Sequence, residues 1–412
     1  MKARTNVKDN SLVRWTCAIV FMLFSFLWLY GFEADVLAAF QHVVSEGRTE
    51  YHPLLGAVLI TIVLQALQLL VHALLRLTNR GHALTYFPSM LALALISAIN
   101  TDIRQSYVWG FWWILVPLML AGWAGVCLVV RYIQNVEPDK NLKVFFSRPM
   151  WINMLVLSVM MMIVAAVSNT NAVFHYRMKA EACLLRGDYD GALDAGWESL
   201  ESDADLQMIR MYAMARRGEL GQRLFHYPIV GGSSMMLPTS GATSFVRYPT
   251  DSLYRAFGAK PAREMLPTTY LKTLARRAAL TADSLGDGGR ATGGQSEAMI
   301  RDYVLCGLLI DRQLDAFVDQ LRVSYVSGDS LDTESLPQHY REALTLYNHL
   351  RRHPALIYRN PVMEEDFQNL QELERKYPDE TERQGKVEDL YGLTYYYYYY
   401  YYYARSRPQR RL

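Results

Sequence analysis

Trp151–Ser168, WINMLVLSVMMMIVAAVS, decides how the rest of the chain is read. The stretch has no charged residue, follows Arg148 and Pro149, and gives way to the polar Asn169–Asn171. Its 18 residues, at a helical rise of about 1.5 Å, reach roughly 27 Å, enough to cross the hydrocarbon core of a bilayer. Nothing in residues 169–412 is comparably apolar. The chain therefore has an apolar N-terminal part and a long polar remainder. Its function depends on which side of the membrane receives that remainder.

Upstream lie four more apolar runs, at 15–32, 54–76, 83–99 and 108–130. The run at 15–32 follows a basic N-terminus, residues 1–14. LWLYGFEAD at its end is bulky and then acidic, so it lacks a signal-peptide cleavage site and is read as a retained helix. The run at 83–99 is the weakest, being short and carrying Pro88. It pairs with 54–76 as a tight hairpin through Thr78–Gly81, and neighbouring helices can satisfy the backbone groups that a proline frees.

With the N-terminus inside, the inner segments hold Lys2, Arg4, Lys8, Arg14, Arg76, Arg80, Arg131, Lys140, Lys143 and Arg148, and the outer loops hold Arg48 and Arg104. That asymmetry obeys the positive-inside rule. Trp15, Trp28, Trp109, Trp112, Trp113 and Trp151 stand near span ends as interfacial anchors. Five spans place everything after Ser168 outside, which is the periplasm in a Gram-negative cell. No span has a charged residue in its middle, and this argues against a coupled transporter. Gln65, Gln68 and His72 share one face of the second span. They are read as interhelical hydrogen-bonding groups with a snorkelling histidine, a polar seam for a substrate being the alternative. The first outer loop carries Leu37, Phe40, Val43 and Val44 at helical spacing, fitting a helix in the interface or a lid over the spans.

After Ser168 the sequence turns to amphipathic segments with little β-type alternation. In residues 172–206, Tyr176, Ala180, Cys183 and Leu184 form one stripe, Gly187-Asp188-Tyr189 a turn, and Ala192, Ala195 and Leu200 a second stripe with Trp197 beside it. This resembles a tetratricopeptide repeat, with departures at Lys179, Gly196, Ser199 and Ala204. A second pair follows, with Leu206, Ile209, Tyr212 and Ala213 on one face, the stripe stopping at Arg216 before a Gly218-Glu219-Leu220 turn. Residues 228–250 break the pattern with Gly, Ser, Thr and Pro, and so long a loop is functional or flexible. GDGGRATGGQ at 286–295 reads as a flexible linker. Tyr340, Ala343, Leu344, Tyr347 and Leu350 form a further helical stripe. The predicted fold is all-α: a five-helix transmembrane bundle over 15–168, then a tetratricopeptide-like α-solenoid over 169–390 and a tail at 391–412.

The formal charge of +2 gives no reason to expect nucleic acid. Four scattered cysteines fit neither a disulfide framework nor a zinc cluster. Cys17 and Cys127 lie in apolar runs; Cys183 and Cys306 are expected as buried thiols, a bridge between them being the alternative. The string GDSL at 328–331 matches the nucleophile motif of one hydrolase superfamily, but it lies between helices and no Asp-x-x-His follows, so it is read as a turn. His349 and His353 lack a third ligand and are read as a basic helix end. No catalytic, metal or cofactor residue is assigned. Tyr395–Tyr403 are nine consecutive tyrosines followed by four arginines. That tail either folds back onto the outer leaflet or the helical stack, or is a disordered, repeat-expanded end.

GDYDGAL at 187–193, ARRGELGQRLFHY at 215–227, LPQHYREAL at 336–344 and LTYYYY from Leu393 together resemble an uncharacterised family of Gram-negative inner-membrane proteins. Its members join a multi-span N-terminus to a tetratricopeptide-like region. The resemblance implies an architecture and no activity. The expected function is a membrane-anchored periplasmic scaffold that binds envelope proteins or peptides, with Tyr176, Tyr189, Trp197, Tyr212, Tyr340 and Tyr347 as partner-binding candidates. The alternative is an enzyme or accessory subunit in envelope glycan or lipid-linked sugar assembly. It would need Glu33, Asp35, Asp102 and Arg104 to converge.

Overall fold

A computed structural model describes residues 5–75, 77, 79–103, 112–136, 148–285, 290–327, 330–331 and 336–402. These are predominantly helical and fall into two compact units, Met1–Met178 and Lys179–Leu412.

In the first unit, four helices are long and apolar enough to cross a membrane. They are α1 (Thr5–Leu27, extended by a π-helical turn to Phe32), α3 (Pro53–Leu75), α5 (Trp112–Val136) and α6 (Arg148–Val167). The short α2 (Ala34–Val44) buries Val36, Leu37, Ala38 and Ala39 and leaves Val44 exposed. The weak run is different in kind. Asn79–Tyr86 winds as a 3-10 helix and only Phe87–Ser97 is α-helical, α4.

Side-chain bonds fix the directions of these helices. The Gln68 amide donates to Thr85 Oγ1 (2.8 Å) and the Ser89 hydroxyl to Leu64 O (2.8 Å), so α4 runs antiparallel to α3, as the predicted hairpin requires. The backbone N–H of Ala83 donates to Asn153 Oδ1 (2.7 Å). Asn169 donates from its backbone to Ser97 O (3.0 Å) and from its side chain to Ile99 O (2.7 Å). The stretch 83–97 is thus parallel to α6 and level with it at both ends. A 3-10 helix rises about 2.0 Å per residue against about 1.5 Å, so this stretch covers roughly 23 Å. Tight winding lets a short segment keep pace with a longer neighbour. Phe21 against Tyr86 (4.9 Å) and Trp28 Nε1 donating to Ser97 Oγ (2.9 Å) set α1 parallel to α4. Trp123 Nε1 donates to Leu84 O (2.8 Å), while Trp112 shares a small apolar cavity with Ala94 and Val167, so α5 is antiparallel.

The second unit begins within α7 (Ala172–Leu185). The predicted turn is present: Gly187 takes φ +72°, and Asp188 caps the next helix by accepting from Gly191 N (2.9 Å). That helix, α8 (Tyr189–Asp194), has only six residues, because Ala195 is extended and Gly196 takes φ +66°. The second pair behaves alike: α9 (Ala204–Arg217) ends on Gly218 at φ +73°, and its partner α10 (Leu220–Arg223) is a single turn. Both second helices are shorter than a regular repeat requires. Residues 206–215 of α9 are all buried, on every face.

The remaining elements are α11 (Thr250–Ala256), α12 (Pro267–Leu285), α13 (Arg290–Ile310), α14 (Leu314–Tyr325), α15 (Gln338–Leu350), α16 (Pro361–Lys376), α17 (Glu380–Tyr391) and α18 (Tyr395–Tyr397). Tyr398–Tyr402 continue α18 as a π-helical turn. The expected glycine-rich linker is corrected in part, since residues 290–295 belong to α13; residues 286–289 lie outside the described residues. Around the GDSL string, β1 (Val326–Ser327) and β2 (Ser330–Leu331) pair antiparallel as a small hairpin, in keeping with a turn.

The 228–250 segment is packed rather than loose. Met236, Leu237, Thr239, Phe245 and Val246 are buried, and side chains from four surrounding places grip its backbone. Gln207 accepts from Val230 N, Asp311 from Ser233 N (2.9 Å) and Ser233 Oγ (2.6 Å), and Asp205 from Ser244 N (2.7 Å). Glu181, fully buried, accepts from Arg247 N and from Tyr248 N (2.6 Å). A segment with few apolar residues still packs when polar helix residues satisfy its amides.

Candidate functional site

The four motif stretches separated in sequence meet in the second unit. His339 of α15 is fully buried, and its Nε2 accepts from Phe225 N (3.4 Å). Nδ1 therefore carries the proton and donates to Glu342 Oε2 (2.9 Å). The same carboxylate accepts from Tyr395 N (2.7 Å) and from Gln338 Nε2 (2.8 Å). Phe225 packs on the rings of Tyr395 (5.2 Å) and Tyr398 (4.6 Å). Tyr227 donates to Leu193 O (3.3 Å), which brings in the end of the GDYDGAL stretch. One carboxylate thus ties α15, the segment after α10, and the start of the tyrosine run.

The tyrosine run is docked on the helices. Thr394 caps it by accepting from Tyr397 N (3.3 Å), and Tyr395–Tyr398 are buried. Tyr398 donates to Ile310 O (2.8 Å), Tyr401 donates to Glu374 Oε1 (2.6 Å), and the Arg312 guanidinium lies over Tyr399 (4.2 Å). Tyr403 and the four arginines lie outside the described residues.

Beside this node a cleft opens, with about 900 Å³ of space counting what faces solvent. Phe225–Ile229 form one wall, Glu388–Leu390 and Gly392–Leu393 the other, and Tyr397 and Tyr398 the floor. Leu200, Leu390 and Leu393 on its margin are exposed, Leu200 at 83%. His226 faces His339 edge-on (5.7 Å). Burial, with the Arg223 guanidinium close by, pulls the His226 imidazole down to about 4, so it is neutral near pH 7. Burial likewise raises the Tyr227 hydroxyl. The cleft offers apolar and aromatic walls with two carboxylates at one edge.

The six predicted tyrosine and tryptophan positions do not form one surface. Tyr176 is half-buried in α7 and belongs to the first unit. Tyr189 and Tyr212 come together around Arg216, whose guanidinium lies 5.2 Å and 5.9 Å from their rings. Arg216 also donates to Tyr212 Oη (3.1 Å), and Tyr248 joins through its hydroxyl (3.1 Å). Trp197 is exposed and rests edge-on against Tyr227 (5.7 Å), close to the cleft. Tyr340 is core, its hydroxyl 3.2 Å from the buried Asp302 carboxylate and 3.5 Å from Cys306 Sγ. Tyr347 is buried and accepts from Ala355 N (3.1 Å). Tyr212, Tyr340 and Tyr347 therefore present no surface to a partner. Phe225, His226, Leu393 and Tyr398, which do build the cleft, stand on short or irregular turns where helical spacing gives no signal.

All four cysteines are free and buried, so Cys183 and Cys306 do not pair. His349 is bonded to Glu364 (2.7 Å) and stacked on Phe367 (4.5 Å), while His353 lies beyond the end of α15. Among the described residues no group of three or more His, Cys, Asp and Glu could hold a metal. Of the acids needed for an enzyme at the span ends, Glu33 is fully buried, and burial raises its carboxyl to about 8; Asp102 is exposed. Arg104 lies outside the described residues.

Residues 289–402 match a family of unknown function, DUF6057. This stretch is just over a quarter of the chain and contains His339, Glu342 and Tyr395–Tyr402. It agrees with the expected likeness to an uncharacterised family. No curated protein and no solved structure matches the chain.

Proposed function

We propose that the protein is a membrane-anchored scaffold whose second unit, in the periplasm of a Gram-negative cell, holds an apolar segment of an envelope protein or peptide. The observation that carries this reading is the cleft between Phe225–Ile229 and Glu388–Leu393, with exposed leucines along its margin. Glu388 and Asp389 favour a segment with a basic residue at one end. The bundle is the anchor, with α1, α3, α4, α5 and α6 alternating in direction as five crossings. Basic residues gathered at the inner ends support an N-terminus in the cytoplasm. The helix–turn–helix pairs at 172–194 and 204–223 are tetratricopeptide-like units with shortened second helices.

The test is a photo-activated cross-linking residue at Leu393, with the same group at the exposed Val323 as control. One defined envelope protein captured from Leu393 alone supports the scaffold. Equal capture at both positions, or purified protein acting alone on a lipid-linked sugar, would overturn it. Alkaline phosphatase fused after Leu412 is expected to be active; an inactive fusion would reverse the orientation.

A further inference from the structure

The first unit carries a second cleft, at the end of the bundle where α1 begins and α3 finishes. It is lined by Arg14, Gln65, His72, His82 and Tyr86 on its polar side. Trp15, Ala18, Met22 and Leu69 give it an apolar side, and the space amounts to about 1320 Å³ including the open part. Trp15 and Leu69 are well exposed, so the cleft opens sideways out of the bundle.

The polar groups are only partly used by the fold. Gln65 donates to Gln68 Oε1 (2.9 Å) and Gln68 donates to Thr85, which is the interhelical bonding expected from the sequence. Gln65 also hydrogen-bonds the Tyr86 hydroxyl, and past that point the pairing stops. His72 and His82 meet edge-on at 4.9 Å, and His82 meets Tyr86 at 5.7 Å. His82 is 3% exposed, and its Nδ1, the Nδ1 of His72 and Gln65 Oε1 are buried without a hydrogen-bond partner among the described residues. Leaving such groups unmet in a low-dielectric site costs about 1–3 kcal/mol each. The lining residues include the cationic Arg14 and no acid.

We propose that this cleft binds the phosphate headgroup of one anionic membrane lipid, its chain lying along Ala18, Met22 and Leu69. Arg14 supplies charge-assisted bonds to the phosphate, and the two imidazoles donate to its oxygens. His72 lies three residues before the end of α3, the depth at which headgroups meet the hydrocarbon. The site rests on the bilayer placement proposed above, which alkaline extraction of membranes tests separately.

The test uses the full chain purified in a neutral detergent, with thermal unfolding followed while phosphatidylglycerol is added. A saturable rise in Tm is expected, because a ligand bound only to the folded state stabilises it by mass action. Phosphatidylcholine and inorganic phosphate are the comparison ligands, and neither should reproduce the rise. Arg14→Gln should raise the half-saturating lipid concentration about tenfold or more, as the loss of one charge-assisted bond predicts. His72→Leu should weaken it in the same direction. Arg131→Gln, an exposed cation of α5 outside the cleft, should leave it unchanged. An equal effect of Arg131→Gln would reduce the response to general basic charge and overturn the site. An equal rise with inorganic phosphate would overturn the lipid, and an equal rise with phosphatidylcholine would overturn the anion.

Discussion

Glu342 illustrates what a sequence reading passes over. Within QHYREAL it looks like a solvated helix acid, yet it is 2% exposed and accepts from Gln338, His339 and Tyr395. Helical spacing marks apolar faces, and a carboxylate buried by three donors from separate places leaves no such mark. Truncating it strands the His339 N–H and the Tyr395 amide, so Glu342→Ala should cost about 3 kcal/mol in denaturant unfolding and loosen the tyrosine run to proteolysis. His226 is the pH-sensitive group beside it. Its folded value of about 4 lies below the ordinary 6.5 of histidine, so the unfolded chain takes up the proton first. Stability is then full above about pH 6.5 and falls as pH drops toward 4, by about 1–3 kcal/mol once solvent screening of the partly exposed ring is allowed for. His226→Gln should flatten unfolding free energy across that window, measured by denaturant titration at several pH values.

Among elements, long uniform patterns were legible and short ones were not. Apolar runs of span length, the Gly187 and Gly218 turns, and the stripe of α15 appear where periodicity places them. The 228–250 strap was missed because its core contacts come from irregular backbone, and the side chains that hold it, Glu181, Asp205 and Gln207 on helices and Asp311 just past α13, leave no mark in an apolar pattern. Gly221 shows a constraint that lies wholly in packing. A Cβ there would stand 2.8 Å from the Tyr340 ring and 2.9 Å from Pro337 Cβ, because α10 presses directly on α15. Tyr340 is core and cannot swing aside. Gly221→Ala should destabilise by about 1–3 kcal/mol, while Gly385→Ala, with open space around it, should be neutral or slightly stabilising. Thermal unfolding of the two variants side by side is the measurement.

For the whole molecule, composition separated an apolar part from a polar one, and the described residues divide at Met178, ten residues beyond the end of the last run. The alternation of five helices rests on the one read as the weakest span, whose 3-10 start gave no signal in the sequence. Its hold on α6 has a consequence for how the chain is made. Ala83 N, Ser97 O and Ile99 O find their partners on Asn153 and Asn169, which leave the ribosome 70 residues later. On the bilayer placement proposed above, the segment is until then an unfinished insertion, with backbone groups that a lipid environment cannot satisfy. Chains stopped after Asn100 should therefore insert it in mixed orientation, with a phosphatase reporter only partly active, whereas the same reporter after Asn171 should report a single orientation. A uniform signal at Asn100 would mean that the segment settles alone. The last of these helices to be made would then be a passenger rather than the clasp that completes the bundle of the first unit.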